Sequence, residues 1–200
     1  MQISSGTARG ELVRQRVIDA AERLLRQGKA EFSMRDLASE AGVSFATPFN
    51  QFGSKHGIMQ ALSGRRIDSM EARYVAIRPS GDAPERVFLA VDTAAAVMLE
   101  EAEVNRAVMG WLGASCAVPG DVLARSAALW ALALGTGDGL LPARRERALR
   151  DLPVQLAFAF RGVLSFWTAG ELPDECLARS ARNMAAALLI GLAERSLVPD

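Results

Sequence analysis

The stretch that decides the fold is residues 33–57, which read SMRDLASEAGVSFATPFNQFGSKHG. Three of its serines stand where a hydroxyl can accept a hydrogen bond from the free amides of a first helical turn: Ser33, Ser44 and Ser54. Asp36 lies three residues after the first serine, from where its carboxylate can return a bond to the cap. Gly42 can adopt the left-handed conformation that ends a helix. We therefore predict three helix starts in succession, with a tight turn between the first two helices.

A helix, a glycine-containing turn and a second helix make a helix-turn-helix. This motif places its second helix in the major groove of DNA, with the first residues of that helix at the base edges. Pro48 follows the Ser44 cap by four residues, lacks a backbone donor and disfavours helical geometry at Thr47. We expect it to tilt or delay the start of the second helix.

The same segment resembles the DNA-binding domain of TetR-type transcriptional regulators. A preceding helix around Val17 to Leu25 fits the family, and further positions agree in order and spacing: Gly28, Ser33, Arg35 to Ala38, Ala41 to Ser44, Phe49, Phe52, Ser54 and Lys55. Because many spaced identities agree at once, the resemblance is specific, although it covers only about the first quarter of the chain. It implies a homodimeric regulator, most often a repressor, that a small-molecule effector releases from a palindromic DNA operator.

The expected DNA contacts follow from the motif and from the resemblance. Side chains early in the second helix are placed to reach base edges: Phe45, Ala46, Thr47, Asn50 and Gln51. The backbone amides of Ser33 and Ser44 suit phosphate oxygens. The remaining expected contacts are Arg35, Phe49, which stands where the family often has tyrosine, and Lys55, which resembles the family's phosphate-binding lysine.

Composition limits the function classes. The chain has 200 residues, half of them apolar, and a formal net charge of zero, so it can build a large core but attracts DNA only through a local basic surface. Residues 1–60 hold eight basic and six acidic residues, which is a weak bias. No catalytic arrangement or metal spacing is visible, and Gly135 to Gly139 lacks the strand and lysine of a nucleotide loop. We expect neither an enzyme nor a cofactor.

The sequence predicts an all-α protein without a membrane-spanning segment. We expect a flexible N-terminal arm at residues 1–10, the helix-turn-helix domain at 11–54 and a helical ligand-binding and dimerisation body at 55–200. Helices should cover about 11–27, 55–74, 84–102, 104–115, 121–135, 143–169 and 173–195 besides those of the motif. The start of the chain lacks the features of a signal peptide, so a cytoplasmic protein with reduced, buried Cys116 and Cys176 is expected.

By the resemblance, an effector pocket lies among the middle helices. Its candidate lining residues are Phe88, Met98, Met109, Trp111 and Trp130, with Asp92, Asn105 or Arg106 as polar anchors. The shortage of charged residues in these helices favours a mainly apolar effector. At least half of the aromatic and methionine side chains are expected to be core residues only.

The last two predicted helices are apolar over more than one face, which favours a four-helix dimer interface. Its candidate residues are Leu156, Phe160, Val163, Leu164, Trp167, Met184, Leu188 and Leu192. A monomer with a thicker core is the alternative. An alternative function is a helical protein-interaction module with a lapsed DNA-binding head, suggested by Pro48, by Phe49 and by the nearly neutral head.

Overall fold

The chain is all-helical. The structure, a computed structural model, describes residues 4–113 and 120–194, and for residues 4–8 only the backbone. The helices of this part are α1 (Ser4–Arg26), α2 (Met34–Ala41), α3 (Ala46–Phe52), α4 (Lys55–Ala76), α5 (Ala83–Glu100), α6 (Ala102–Leu112), α7 (Val122–Leu134), α8 (Pro142–Thr168) and α9 (Asp174–Leu189). Within the same ranges, the β-structure consists of one isolated antiparallel bridge between Leu140 and Ala193.

The helix order agrees with the sequence prediction, and the main differences lie at the ends. Helix α1 begins at Ser4, so the expectation of an arm over residues 1–10 is wrong from Ser4 onward. The last helix ends at Leu189 instead of continuing to residue 195. Cys116, expected to be buried, lies outside the described residues, whereas Cys176 is a half-buried free thiol. None of the described helices combines the length and the apolar character that a bilayer crossing requires.

Contacts divide the chain into two compact units. The first contains α1 to α3, α4 as far as Ser63, and α6 from Glu103. Its core joins side chains of all these helices except α3: Val17, Ile18, Ala20, Ala21, Leu24, Leu25, Phe32, Leu37, Ala41, Ile58, Met59, Leu62, Val104 and Val108. The first unit therefore extends beyond the boundary expected after residue 54. A three-helix head of this length buries too little apolar surface alone, and residues of α4 and α6 complete its core.

The second unit contains α4 from Gly64, α5, α7, α8 and α9. Its largest fully buried side chains include Tyr74, Trp130 and Trp167. The Trp167 indole donates to the Asp174 carboxylate at 2.7 Å, which joins the end of α8 to the start of α9. Arg86 of α5 donates to the backbone oxygens of Ala133 and Leu134 at the end of α7, at 3.0 and 2.9 Å.

Candidate nucleic-acid interface

Helix α2 begins with the capping box expected from the sequence. The Ser33 hydroxyl accepts from the Asp36 amide at 3.1 Å, and the Asp36 carboxylate accepts from the Ser33 amide at 2.8 Å. The bonds that the Asp36 carboxylate accepts from the Ser33 amide and from the Ser33 hydroxyl, both at 2.8 Å, lower the pKa of Asp36. The Ser33 amide, expected to bind phosphate, therefore already has a partner. At the other end of α2, Gly42 adopts the left-handed conformation with φ of 61°, which turns the chain toward α3.

Helix α3 starts differently from the prediction. The Ser44 hydroxyl does not cap the backbone but lies 2.8 Å from the Thr47 hydroxyl. The Thr47 amide donates to the Ser44 carbonyl at 2.9 Å, so residues 44–47 form a turn before the helix. Pro48 is buried and is the third residue of α3. Amides of the first helical turn have no acceptor within the helix, so the amide hydrogen that proline lacks is not needed there. Helix α3 begins at Ala46, one residue later than the Ser44 cap predicts, and Pro48 does not interrupt it.

The exposed side of α3 is mainly apolar. Phe45 and Phe49 are 54% and 41% exposed and pack edge to face, with ring centroids 5.4 Å apart. Ala46 and Asn50 lie exposed beside them. Pro48 and half-buried Phe52 occupy the inner side of α3. The Arg35 guanidinium, at the start of α2, lies 5.6 Å from the Phe45 ring centroid.

Arginines of α1 hold the motif in place. Arg14 donates to the Gln51 carbonyl at 3.2 Å and lies 4.4 Å from the centroid of the Phe52 ring. Arg16 donates to the Ala41 carbonyl at 2.8 Å, which fixes the end of α2. From the sequence, Arg14 and Arg16 were expected to contribute only basic charge. Their spacing on α1, two residues apart, does not reveal which carbonyls they reach, because those contacts depend on how α1 packs against the motif.

Lys55 points into the first unit. Its ammonium donates to the Ala30 carbonyl at 2.7 Å and lies 4.4 Å and 4.3 Å from the ring centroids of Phe32 and Trp111. Burial lowers the pKa of Lys55, and the Glu31 carboxylate opposes that shift. This arrangement differs from the expected phosphate contact, because the cation is already held by two aromatic faces and a backbone oxygen.

A cleft of about 380 Å³ opens beside this lysine. It is lined by Ala30, Glu31, Arg106, Ala107, Gly110 and Trp111. Trp111 and Arg106 were expected to line or anchor the effector pocket of the body. The structure instead groups them with the helix-turn-helix unit.

The other expected pocket residues are spread over both units. Met109 belongs to the first unit, whereas Phe88, Met98 and Trp130 belong to the second. Phe88 contacts Arg182, whose guanidinium lies 4.9 Å from the ring centroid. Trp130 is 1% exposed and packs edge to face on Phe160, with centroids 5.4 Å apart. Its indole N–H has no hydrogen-bond acceptor among the described residues, and the same is true of the buried Tyr74 hydroxyl.

Half of the expected dimer contacts are core residues of their own protomer. Leu156, Phe160, Leu164 and Trp167 are at most 5% exposed, so the expectation that they face a partner is wrong. The others are half-buried: Val163, Met184, Leu188 and Leu192. The apolar side chains that α8 does expose are Val154, Phe158 and Phe166, and Ile190 is exposed just after α9. Helical apolarity alone did not distinguish these faces because both sides of α8 are apolar.

The described geometry is that of a helix-turn-helix DNA-binding protein. Residues 17–62 match the family described as "Bacterial regulatory proteins, tetR family". Two uncharacterized HTH-type transcriptional regulators of Mycobacterium tuberculosis, from strains CDC 1551 / Oshkosh and ATCC 25618 / H37Rv, are each 29% identical to this chain. Each alignment covers 76% of this chain and 79% of the relative.

Solved structures share the whole fold. A TetR transcriptional regulator from Rhodococcus sp. RHA1 superposes with a TM-score of 0.73 and 21% identity, covering 92% of this chain and 98% of that protein. FadR of Thermus thermophilus, a TetR family transcriptional repressor in complex with lauroyl-CoA, gives 0.69 and 20%, covering 94% and 99%. The chain is thus a DNA-binding transcriptional regulator with a TetR-type DNA-binding domain at residues 17–62 and the fold of the TetR-family structures.

Proposed function

We propose that this regulator is a cytoplasmic homodimeric repressor that binds a palindromic operator and leaves it when a small, mainly apolar effector binds. The observation that carries the proposal is the capped helix-turn-helix, with the outer side of α3 exposed and the inner side anchored by Pro48 and by the Arg14 contact to Gln51. An anchored helix with a free outer side is what insertion into the major groove requires.

Dimerisation is supported by the apolar side of α8. Val154, Phe158 and Phe166 are spaced by four and eight residues, so they follow one side of the helix. Three large exposed apolar side chains in a row are costly in water and are typical of a surface that a partner covers. A second copy of the chain is the occupant we propose, because a dimer matches the two half-sites of a palindrome.

The proposed effector site lies in the second unit, near Trp130. A buried indole N–H without an acceptor costs free energy, and an effector oxygen could supply that acceptor. The Trp130 ring packs on the Phe160 ring, and this apolar contact favours an apolar effector with a single polar group. The FadR structure contains lauroyl-CoA, which has a long acyl chain, and lauric acid carries such a chain with one polar group, so long-chain fatty acids are the first effectors to test. Release requires that the effector bind the DNA-incompetent state more tightly than the competent one.

The test is a binding titration of the full-length protein on the DNA upstream of its own gene, repeated over a range of salt concentrations. The proposal expects sequence-selective binding that weakens steeply with salt, and loss of binding when the effector is added. Binding that is absent, or equal on unrelated DNA, would overturn it. The inward position of Lys55 favours the alternative of a protein-interaction module with a lapsed head, and the same titration decides between the two.

A further inference from the structure

Phe45, just before α3, and Phe49 are large side chains exposed on the outer side of this helix. Both are expected DNA contacts, but the feature of the DNA that they recognise has not been assigned. Phe45 is 54% exposed and Phe49 is 41% exposed. Their edge-to-face contact, with centroids 5.4 Å apart, fixes the two rings against each other. They therefore form one preordered apolar surface, which we call the Phe45–Phe49 pair.

Polar groups nearby offer few alternatives for reading bases. The Thr47 hydroxyl is paired with the Ser44 hydroxyl at 2.8 Å. Gln51 is half-buried, and Arg14 donates to its backbone carbonyl, which holds this residue on the inner side of the motif. Asn50 is the exposed amide of this side of α3. Base recognition by hydrogen bonds alone would therefore rest on few groups, whereas the apolar area is large.

The major groove offers one apolar feature that depends on sequence, the C5 methyl group of thymine. We infer that the Phe45–Phe49 pair is a specificity determinant that binds thymine methyl groups in each operator half-site. The inference rests on the proposed operator binding. Arg35, with its guanidinium 5.6 Å from the Phe45 ring centroid, is placed to hold a backbone phosphate and the ring together.

The experiment starts with selection of high-affinity DNA from a random pool by the full-length protein. Each thymine of the selected half-site is then replaced in turn by deoxyuridine, which removes the C5 methyl group but keeps every hydrogen-bonding group. At one or more positions we expect about fourfold weaker binding per methyl group, the transfer free energy of one buried carbon. Since the change is made in the DNA, this result does not depend on how a protein variant folds.

Protein variants assign the effect to the pair. In Phe45→Ala and Phe49→Ala, the thymine and deoxyuridine operators should bind equally at the affected positions. The matched control is Leu12→Ala on α1, because Leu12 is also a large exposed side chain, at 68%, but lies outside the motif. The control should keep the fourfold difference.

The outcomes separate this inference from the proposed function. Sequence-selective binding that no deoxyuridine substitution weakens would overturn the inference and leave the repressor proposal standing. A methyl effect that persists unchanged in both alanine variants would also overturn it. If selection yields no preferred sequence, the operator proposal fails and the inference fails with it.

Discussion

At the scale of single residues, the structure changes the role of a basic side chain that sequence comparison assigns to DNA. Lys55 is one of two lysines in the chain and matches the family pattern in position. Its ammonium is nevertheless directed to Ala30, Phe32 and Trp111. A one-dimensional pattern gives the position of a cation but not its direction, and the direction is set here by an aromatic residue 56 positions later in the chain.

Lys55→Met tests this role. Loss of the hydrogen bond and of two cation–π contacts should lower the free energy of unfolding by about 1–2 kcal/mol. The slope of log Kd for DNA against log salt should stay unchanged, since no phosphate contact is lost. Thermal denaturation and salt-dependent fluorescence anisotropy measure the two effects. Lys29→Met, which removes the other, exposed lysine, is the control and should leave stability unchanged. If the substitution reduces the slope by about 1 per protomer, Lys55 contacts a phosphate instead.

Asp138 gives a pH-dependent contribution to stability. It accepts from Arg86 at 2.8 and 3.0 Å and from Thr136 at 3.0 Å, and chiefly the Arg86 bond holds its pKa well below the usual range. A carboxyl group whose folded pKa is depressed stabilises the fold above its ordinary pKa and loses that effect as pH falls.

Asp138→Asn should therefore lower the unfolding midpoint at pH 7. The gap between the wild type and this variant should narrow as pH falls below about 4, where the unfolded carboxyl group becomes protonated. Urea titrations at pH 7 and at pH 3 provide the measurement. Glu171→Gln, at an exposed carboxylate in the turn after α8, is the control and should show a smaller gap. An equal gap at both pH values would contradict the assigned role of Asp138.

At the scale of elements, local signals predicted helix ends well where the partner atoms lie within a few residues. The Ser33 capping box and the left-handed Gly42 were both predicted and are both present. The prediction that Ser44 caps α3 was wrong. The Ser44 hydroxyl pairs with the side-chain hydroxyl of Thr47 and not with the backbone amide of that residue. Pro48 was expected to disturb α3, but its first-turn position makes the missing amide harmless.

Gly42→Ala should destabilise the helix-turn-helix by about 1 kcal/mol or more, because an alanine at φ of 61° is strained. The added Cβ would also lie 3.3 Å from the Arg16 guanidinium. Gly10→Ala is the matched control, since Gly10 lies inside α1 with no atom within 4 Å of an added Cβ, and alanine favours the helix.

Chemical denaturation followed by circular dichroism compares the two variants. Gly42→Ala should shift the midpoint down and Gly10→Ala should shift it slightly up. A neutral Gly42→Ala would show that the turn tolerates a different backbone geometry.

At the scale of the whole molecule, the decisive question is which apolar surface a second copy covers. The sequence predicted a dimer interface on α8 and α9, but it did not distinguish the exposed sides of these helices from their buried sides. Leu156, Phe160 and Trp167 were predicted at the interface because both helices are apolar over more than one face, and the structure places them in the protomer core. The exposed Phe158 and Phe166 are identical in type to some of these core residues, so composition could not separate them.

Phe158→Glu should convert the dimer to a monomer, because a charge at the centre of an apolar interface stays unpaired after burial. Sedimentation velocity measures the change in mass. Leu132→Glu is the matched control, since Leu132 is 42% exposed on α7, and it should stay dimeric. A wild-type protein that sediments as a monomer would refute the proposed interface, as would a Phe158→Glu dimer of unchanged stability. Operator affinity should fall together with dimerisation.

The sequence by itself determined the all-helical class, the succession of helices and the helix-turn-helix, because caps, glycine turns and helical periodicity act over a few residues. It also predicted the TetR-type DNA-binding domain through spaced identities in that motif. Tertiary structure decided the extent of the first unit, the inward direction of Lys55, the exposure of the Phe45–Phe49 pair and the apolar side of α8 that stays free. These features depend on contacts between residues far apart in the chain, and packing decides which of several similar side chains becomes buried.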